Sequence, residues 1–142
     1  MNTDKIKEIR DELEITQKEI AEKLSVTRSA YSLWEININT IPLNYLNKLS
    51  NLFNINIDYL VDLSEIKYLE FKKVEIDRKT LGKKIKIARK SVKLSQKELA
   101  IKLNTTQSVI SAYENGKTKI TTLFLVEIAK ITNKSLNWFL DK

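Results

Sequence analysis

Between Ser95 and Lys119 the chain runs "SQKELAIKLNTTQSVISAYENGKTK". The side chains here suit hydrogen bonding rather than bond breaking. Gln96, Thr106, Gln107, Ser108, Ser111 and Asn115 offer amides and hydroxyls, Ala112 a methyl group, and Lys117 and Lys119 positive charge. A water-facing helix ordinarily carries Glu and Lys. A face of Gln, Ser and Ala is short enough to lie close against another surface. Catalytic alternatives are few. The chain has no Cys and no His, which excludes disulfides, zinc clusters and Cys or His nucleophile–base pairs. Glycine occurs only at 82 and 116, so no Gly-rich phosphate loop can form. Carboxylate acid–base chemistry is weighed against ordinary solvation of scattered Asp and Glu, and solvation is favoured. The expectation is a protein that is not an enzyme.

The elements that must position these residues occur twice. At an offset of 79 residues the chain aligns with itself without gaps from Ile6/Ile85 to Asp62/Asp141, with 17 identities in 57 positions. Gln17/Gln96, Glu19/Glu98, Ala21/Ala100, Leu24/Leu103, Thr27/Thr106, Ser29/Ser108, Ser32/Ser111 and Glu35/Glu114 are among them. Each copy has the pattern of five short helices. The first is expected near Asp4–Leu13 and, in the second copy, near Arg78–Val92. Thr16 and Ser95 cap the second helix, with Glu19 and Glu98 completing capping boxes. Thr27 and Thr106 cap the third. Pro42 suits the first turn of the fourth, with Thr121 or Thr122 as its counterpart. Asn56 and Ser135 cap the last helix, whose aromatics are expected to plug the core. Two glycines and one proline in 142 residues leave little turn chemistry for a β protein.

The second and third helices of each copy, joined by "SVT" or "NTT", form a helix-turn-helix. Such a pair can cross a DNA backbone with one helix and enter the major groove with the other. Gln96 opens the first of the two helices in copy two. Gln107, Ser108, Ser111 and Ala112 form the outward face of the second, while Val109, Ile110 and Tyr113 turn inward. Asn115 and Gly116 end that helix, and Lys117 and Lys119 follow. Gln can pair with adenine in a bidentate manner, and Thr or Ala can touch a thymine methyl.

The stretch from Ser95 to Lys119 closely resembles the helix-turn-helix of lambdoid phage repressors and Cro proteins, the wider family of XRE-type regulators. The resemblance covers both copies. It implies an all-α chain of two tandem five-helix lambda-repressor-like domains and DNA binding without a cofactor, usually as a dimer on a palindromic operator. It implies that Gln96 and Asn115 hold phosphates and that Thr106, Gln107, Ser108, Ser111 and Ala112 face bases. It also implies that Arg10/Glu35 and Arg89/Glu114 are partly buried ion pairs tying the first helix to the third.

The copies are not equivalent. Residues 1–62 carry seven Lys/Arg against ten Asp/Glu, residues 63–76 three of each, and residues 77–142 fifteen against five. A strongly basic half is what a polyanion selects. Copy one has "WEININT" where copy two has "YENGKTK". Asn37 stands for the glycine and can adopt its left-handed conformation, while Ile38 and Thr40 replace the lysines. On its reading side copy one retains Gln17, Thr27, Arg28, Ser29 and Ser32, with Arg28 suited to guanine or phosphate. Leu33 replaces Ala112. The expected domains are residues 1–62, a weaker or adapted DNA binder; a connector at 63–77, helical or extended; and residues 78–142, the basic and dominant binder. Ile36, Ile38 and Ile41 form an expected apolar patch, an alternative docking surface for a protein partner or a second copy, as in an antitoxin or adaptor. The favoured partner is double-stranded DNA. No run is long and apolar enough for a membrane span, and "MNTDKIKEIR" lacks a signal-peptide core, so a cytoplasmic, nucleoid-associated location is expected.

Overall fold

A computed structural model describes residues 4–142. Its described residues form ten α-helices and no strand: α1 (Asp4–Glu12), α2 (Gln17–Leu24), α3 (Arg28–Glu35), α4 (Leu43–Phe53), α5 (Ile57–Leu60), α6 (Arg78–Ser91), α7 (Gln96–Lys102), α8 (Gln107–Glu114), α9 (Thr122–Thr132) and α10 (Leu136–Phe139). The chain divides into two compact units, one ending at Phe71 and the other beginning at Lys72.

The helix starts follow from local chemistry. Thr16 and Ser95 close full capping boxes with Glu19 and Glu98. The hydroxyls of Thr27 and Thr106 accept from the amides of Ala30 and Val109. Thr121 caps α9, and Asn56 and Ser135 cap α5 and α10. Pro42 sits at the N-cap of α4 rather than inside its first turn, and makes no side-chain cap.

The helix ends show how a chain with two glycines turns at all. Positive φ occurs at Glu14/Lys93, Ser25/Asn104, Asn37/Gly116, Asn54/Asn133 and Asp62/Asp141, five pairs each 79 residues apart. Most are Asn, Asp or Ser, whose short polar side chains tolerate the left-handed region better than other L residues. The turn geometry was therefore duplicated along with the helices.

Each unit has its own core. Ile6, Ile9, Ile20, Leu24, Tyr31, Leu46, Leu49 and Leu60 are buried in the first; Ile85, Leu99, Ile110, Leu125, Ile128 and Phe139 in the second. Each of these Ile, Leu and Phe side chains stabilises its unit by about 1.5–3 kcal/mol. An aromatic pair joins the third helix to the fourth in both: Trp34 with Tyr45 at 5.6 Å and Tyr113 with Phe124 at 5.7 Å between centroids.

Two further expectations fail. The last-helix aromatics do not both plug the core. Phe139 does, but its counterpart is Leu60, and Tyr59 and Trp138 lie half-buried at the edge. There Lys5 and Lys84 cover their rings at 4.0 and 4.5 Å and pair with Asp62 and Asp141 at 2.7 and 2.8 Å. An amphipathic ring at a rim accepts a cation on its face more readily than it accepts full burial. The expected patch of Ile36, Ile38 and Ile41 is also reduced, because Ile41 is wholly buried.

The first part of the connector is extended. Tyr68 bridges to Ile55, and Asn56 donates its amide to the Lys67 carbonyl at 2.9 Å and its side-chain Nδ2 to the Ile66 carbonyl at 2.8 Å. Lys67 Nζ then reaches Glu12 at 2.6 Å and Glu8 at 3.3 Å on α1. In the second unit Val74 and Ile76 are half-buried beside Phe139 and Leu140.

Candidate nucleic-acid interface

The residues singled out in the second copy converge on one place. An open, shallow concavity of about 370 Å³ is lined by Gln96, Gln107, Ser108, Ser111, Ala112, Asn115 and Lys117. Three segments meet there: the start of α7, the outward face of α8 and the loop after it. Gln107 and Ser108 are exposed, and Ser111 and Ala112 half-buried, while Ile110 and Tyr113 on the opposite side of α8 enter the core. Thr106 and Lys119 are exposed but lie outside the lining. The Thr106 hydroxyl is committed as an acceptor to α8.

The concavity depends on how α7 and α8 meet: Leu99 and Ala100 of α7 pack with Ile110 of α8 in one core cluster, and a buried ion pair ties α8 to α6. Arg89 Nε and Nη2 donate to Glu114 at 2.7 and 2.9 Å, and Nη1 donates to the Leu94 carbonyl at 2.8 Å. Both residues are 6% exposed. Donating to the Glu114 carboxylate holds the Arg89 guanidinium above its ordinary value, against the opposing effect of burial. Glu114 also accepts from Gln96 Nε2 at 3.3 Å. The ion pair that ties α6 to α8 therefore orients a side chain of the groove as well. Sequence reasoning assigned Gln96 outward and missed this link. The 18-residue spacing of Gln17/Glu35 and Gln96/Glu114, kept in both copies, was its signal.

Two further devices shape the rim. Asn115 Nδ2 donates to Ser111 Oγ at 3.3 Å, joining the end of α8 to its outward face. Gly116 has φ +69°. A Cβ there would also meet the backbone of Lys79 at 3.0 Å, so the loop lies directly on the start of α6.

The first copy has the same frame and a different surface. Arg10 donates to Glu35 through Nε and Nη2 at 3.0 Å, and Gln17 Nε2 donates to Glu35 at 3.3 Å. Thr27, Arg28 and Ser29 are exposed, and Ser32 is half-buried with its hydroxyl turned back onto the Ser29 carbonyl at 2.9 Å. Asn37 takes φ 61° in place of the glycine. Beyond it, Ile36 and Ile38 are 65% and 67% exposed, where the second copy has Asn115 and Lys117.

A capped helix, a left-handed turn and a second helix with a polar outward face define a helix-turn-helix protein, here built twice. The family model described as Helix-turn-helix matches residues 6–60 and again 85–139, and the chain belongs to that family, of the XRE type. Among curated proteins the chain is similar to the HTH-type transcriptional regulator ImmR of Bacillus subtilis, 39% identical over 44% of this chain and 49% of the relative. It is also similar to the uncharacterized HTH-type transcriptional regulator YqaE of the same organism, 31% identical over 43% of this chain and 53% of the relative. The chain spans about half the length of the curated relatives it matches. No solved structure matches it. Among the described residues no helix is long and apolar enough to cross a membrane, and no cluster of acidic residues could hold a metal ion.

Proposed function

We propose that the chain is a sequence-specific double-stranded DNA-binding regulator of transcription, acting as a repressor. In this reading α8 enters the major groove. Gln107, Ser108, Ser111, Ala112 and Thr106 face bases, while Gln96, Asn115, Lys117 and Lys119 hold phosphates. The observation that carries it is the concavity itself: seven of the nine residues assigned to this role in the second copy line one open surface. The net positive charge of the second half and the names of the similar regulators support the same reading. The first copy binds more weakly, through Gln17, Thr27, Arg28, Ser29 and Ser32. Two linked modules then meet two unlike half-sites about 10 bp apart, or a multiple of that.

A second reading rests on the exposed Ile36 and Ile38. They put apolar surface where the other copy puts phosphate-gripping side chains, as a docking face for a protein partner would. In that case the protein is an antitoxin or adaptor that keeps DNA binding in its second copy alone. Selection from random duplexes at two salt concentrations, with the footprint measured, separates the two. A footprint longer than one helical turn with two unlike halves supports DNA contact by both copies. A footprint under one turn leaves the first copy to the docking role, and no enrichment at all refutes the DNA-binding reading.

A further inference from the structure

The groove accounts for only part of the positive charge of the second unit. Lys79, Lys83, Lys86 and Lys90 stand on α6 at steps of four, three and four residues. At 100° per residue they fall within about 60° of one another and form one stripe about 16 Å long. All four are exposed, and among the described residues none lies within ion-pair distance of a carboxylate, although Lys79 and Lys83 act electrostatically on the N-cap Asp77. Lys84, on another side of the same helix, does pair, with Asp141.

Such a stripe works against the helix that bears it. Lysines three and four residues apart repel, and Lys79 lies in the first turn, where a cation opposes the helix dipole. The corresponding positions of α1 are Asp4, Lys7 and Asp11, so the first copy has no such stripe. The stripe is also continuous with the groove. Its first member lies beside Gly116, where a Cβ would meet its N, Cα and Cγ, between the groove-lining Asn115 and Lys117.

We infer that this lysine stripe is a second DNA contact, a sequence-independent track for phosphates flanking the bases that α8 reads. It rests on the DNA-binding reading and deepens it. A single strand carries one phosphate charge per 3.4 Å of duplex, so the stripe can face about five phosphates. The lysines repel one another in the free protein, and the polyanion relieves that repulsion when it binds.

The test is a Lys83→Ala, Lys86→Ala, Lys90→Ala triple variant of the full chain, binding a labelled short duplex of random sequence across a range of salt. Each lost phosphate contact lowers the slope of log affinity against log salt by about 0.9, so the triple variant loses about 2.7. The matching Lys→Arg triple keeps the parental slope. The ratio of selected to random duplex affinity stays unchanged in both. A parental chain that binds duplex with steep salt dependence, beside an Ala triple of identical slope, overturns the track and leaves the groove reading intact. An altered sequence ratio also overturns it, because the lysines would then touch bases. A parental chain that binds no duplex overturns both. Circular dichroism controls for folding, and all three lysines are exposed.

Discussion

Removing the Glu114 carboxylate tests whether the buried ion pair holds the second unit together. In Glu114→Ala, Arg89 Nε and Nη2 lose the acceptors at 2.7 and 2.9 Å, and only the Nη1 bond to the Leu94 carbonyl survives. The Arg89 side chain is 8% exposed, so little water can replace what is lost. A stranded charge of this kind costs about 3–5 kcal/mol. In the first unit the Arg10 side chain is 15% exposed, so water reaches it and Glu35→Ala costs less, about 1.5–3 kcal/mol. Replacing both partners together, as Arg89→Met with Glu114→Leu, strands nothing and recovers most of the loss. Each unit has one tryptophan, Trp34 and Trp138, so the measurement can be confined to the second. In a Trp34→Phe background, urea unfolding followed by Trp138 fluorescence reports the unit where Lys84 covers that ring. The reasoning is refuted if Glu114→Ala unfolds within about 1 kcal/mol of its parent, or if the double replacement is as damaged as the single one.

Lys117→Ala with Lys119→Ala should weaken binding to all duplexes alike and lower the salt slope by about 1.8, as loss of two phosphate contacts requires; a changed base preference with unchanged overall affinity would place these lysines wrongly. Gly116→Ala should cost about 1–2 kcal/mol from its left-handed backbone alone. Gly82→Ala should cost about 1–3 kcal/mol, because its methyl would overlap the carbonyl oxygens of Tyr113 and Glu114 and push α6 off α8; thermal melts that match the parent would contradict both. The Glu98 carboxylate accepts from the Ser95 amide and hydroxyl, which holds it below its ordinary value of 4.5. A depressed folded value means that its capping contribution is present above 4.5 and is lost as pH falls through the lower folded value. An NMR titration that finds the Glu98 midpoint at or above 4.5 would rule this out.

Much of the fold could be read from the sequence because it was written twice. Caps recur in register, and the two ion pairs, Arg10/Glu35 and Arg89/Glu114, are those the resemblance implied. The groove was legible for a related reason: helical spacing puts residues 107, 108, 111 and 112 on one face of α8. What it could not give was how close Gln96 comes to that face, because this depends on how α7 packs on α8. Ile41 was misjudged because hydrophobicity alone does not separate it from Ile36 and Ile38. Its identity with Ile120 at the 79-residue offset, both buried, marked it as core. Tyr59 and Trp138 were placed too deep because their cation partners, Lys5 and Lys84, lie one residue beyond the aligned stretch.

That the exposed edge of α8 meets base pairs is tested most directly by selecting duplexes from a random pool with the parental chain and with Gln107→Ala. The expected result is an enriched motif in the parent that loses preference at one position in the variant, by about 1–3 kcal/mol of discrimination, with every other position kept. An identical motif from both proteins would contradict the placement of α8 in the major groove.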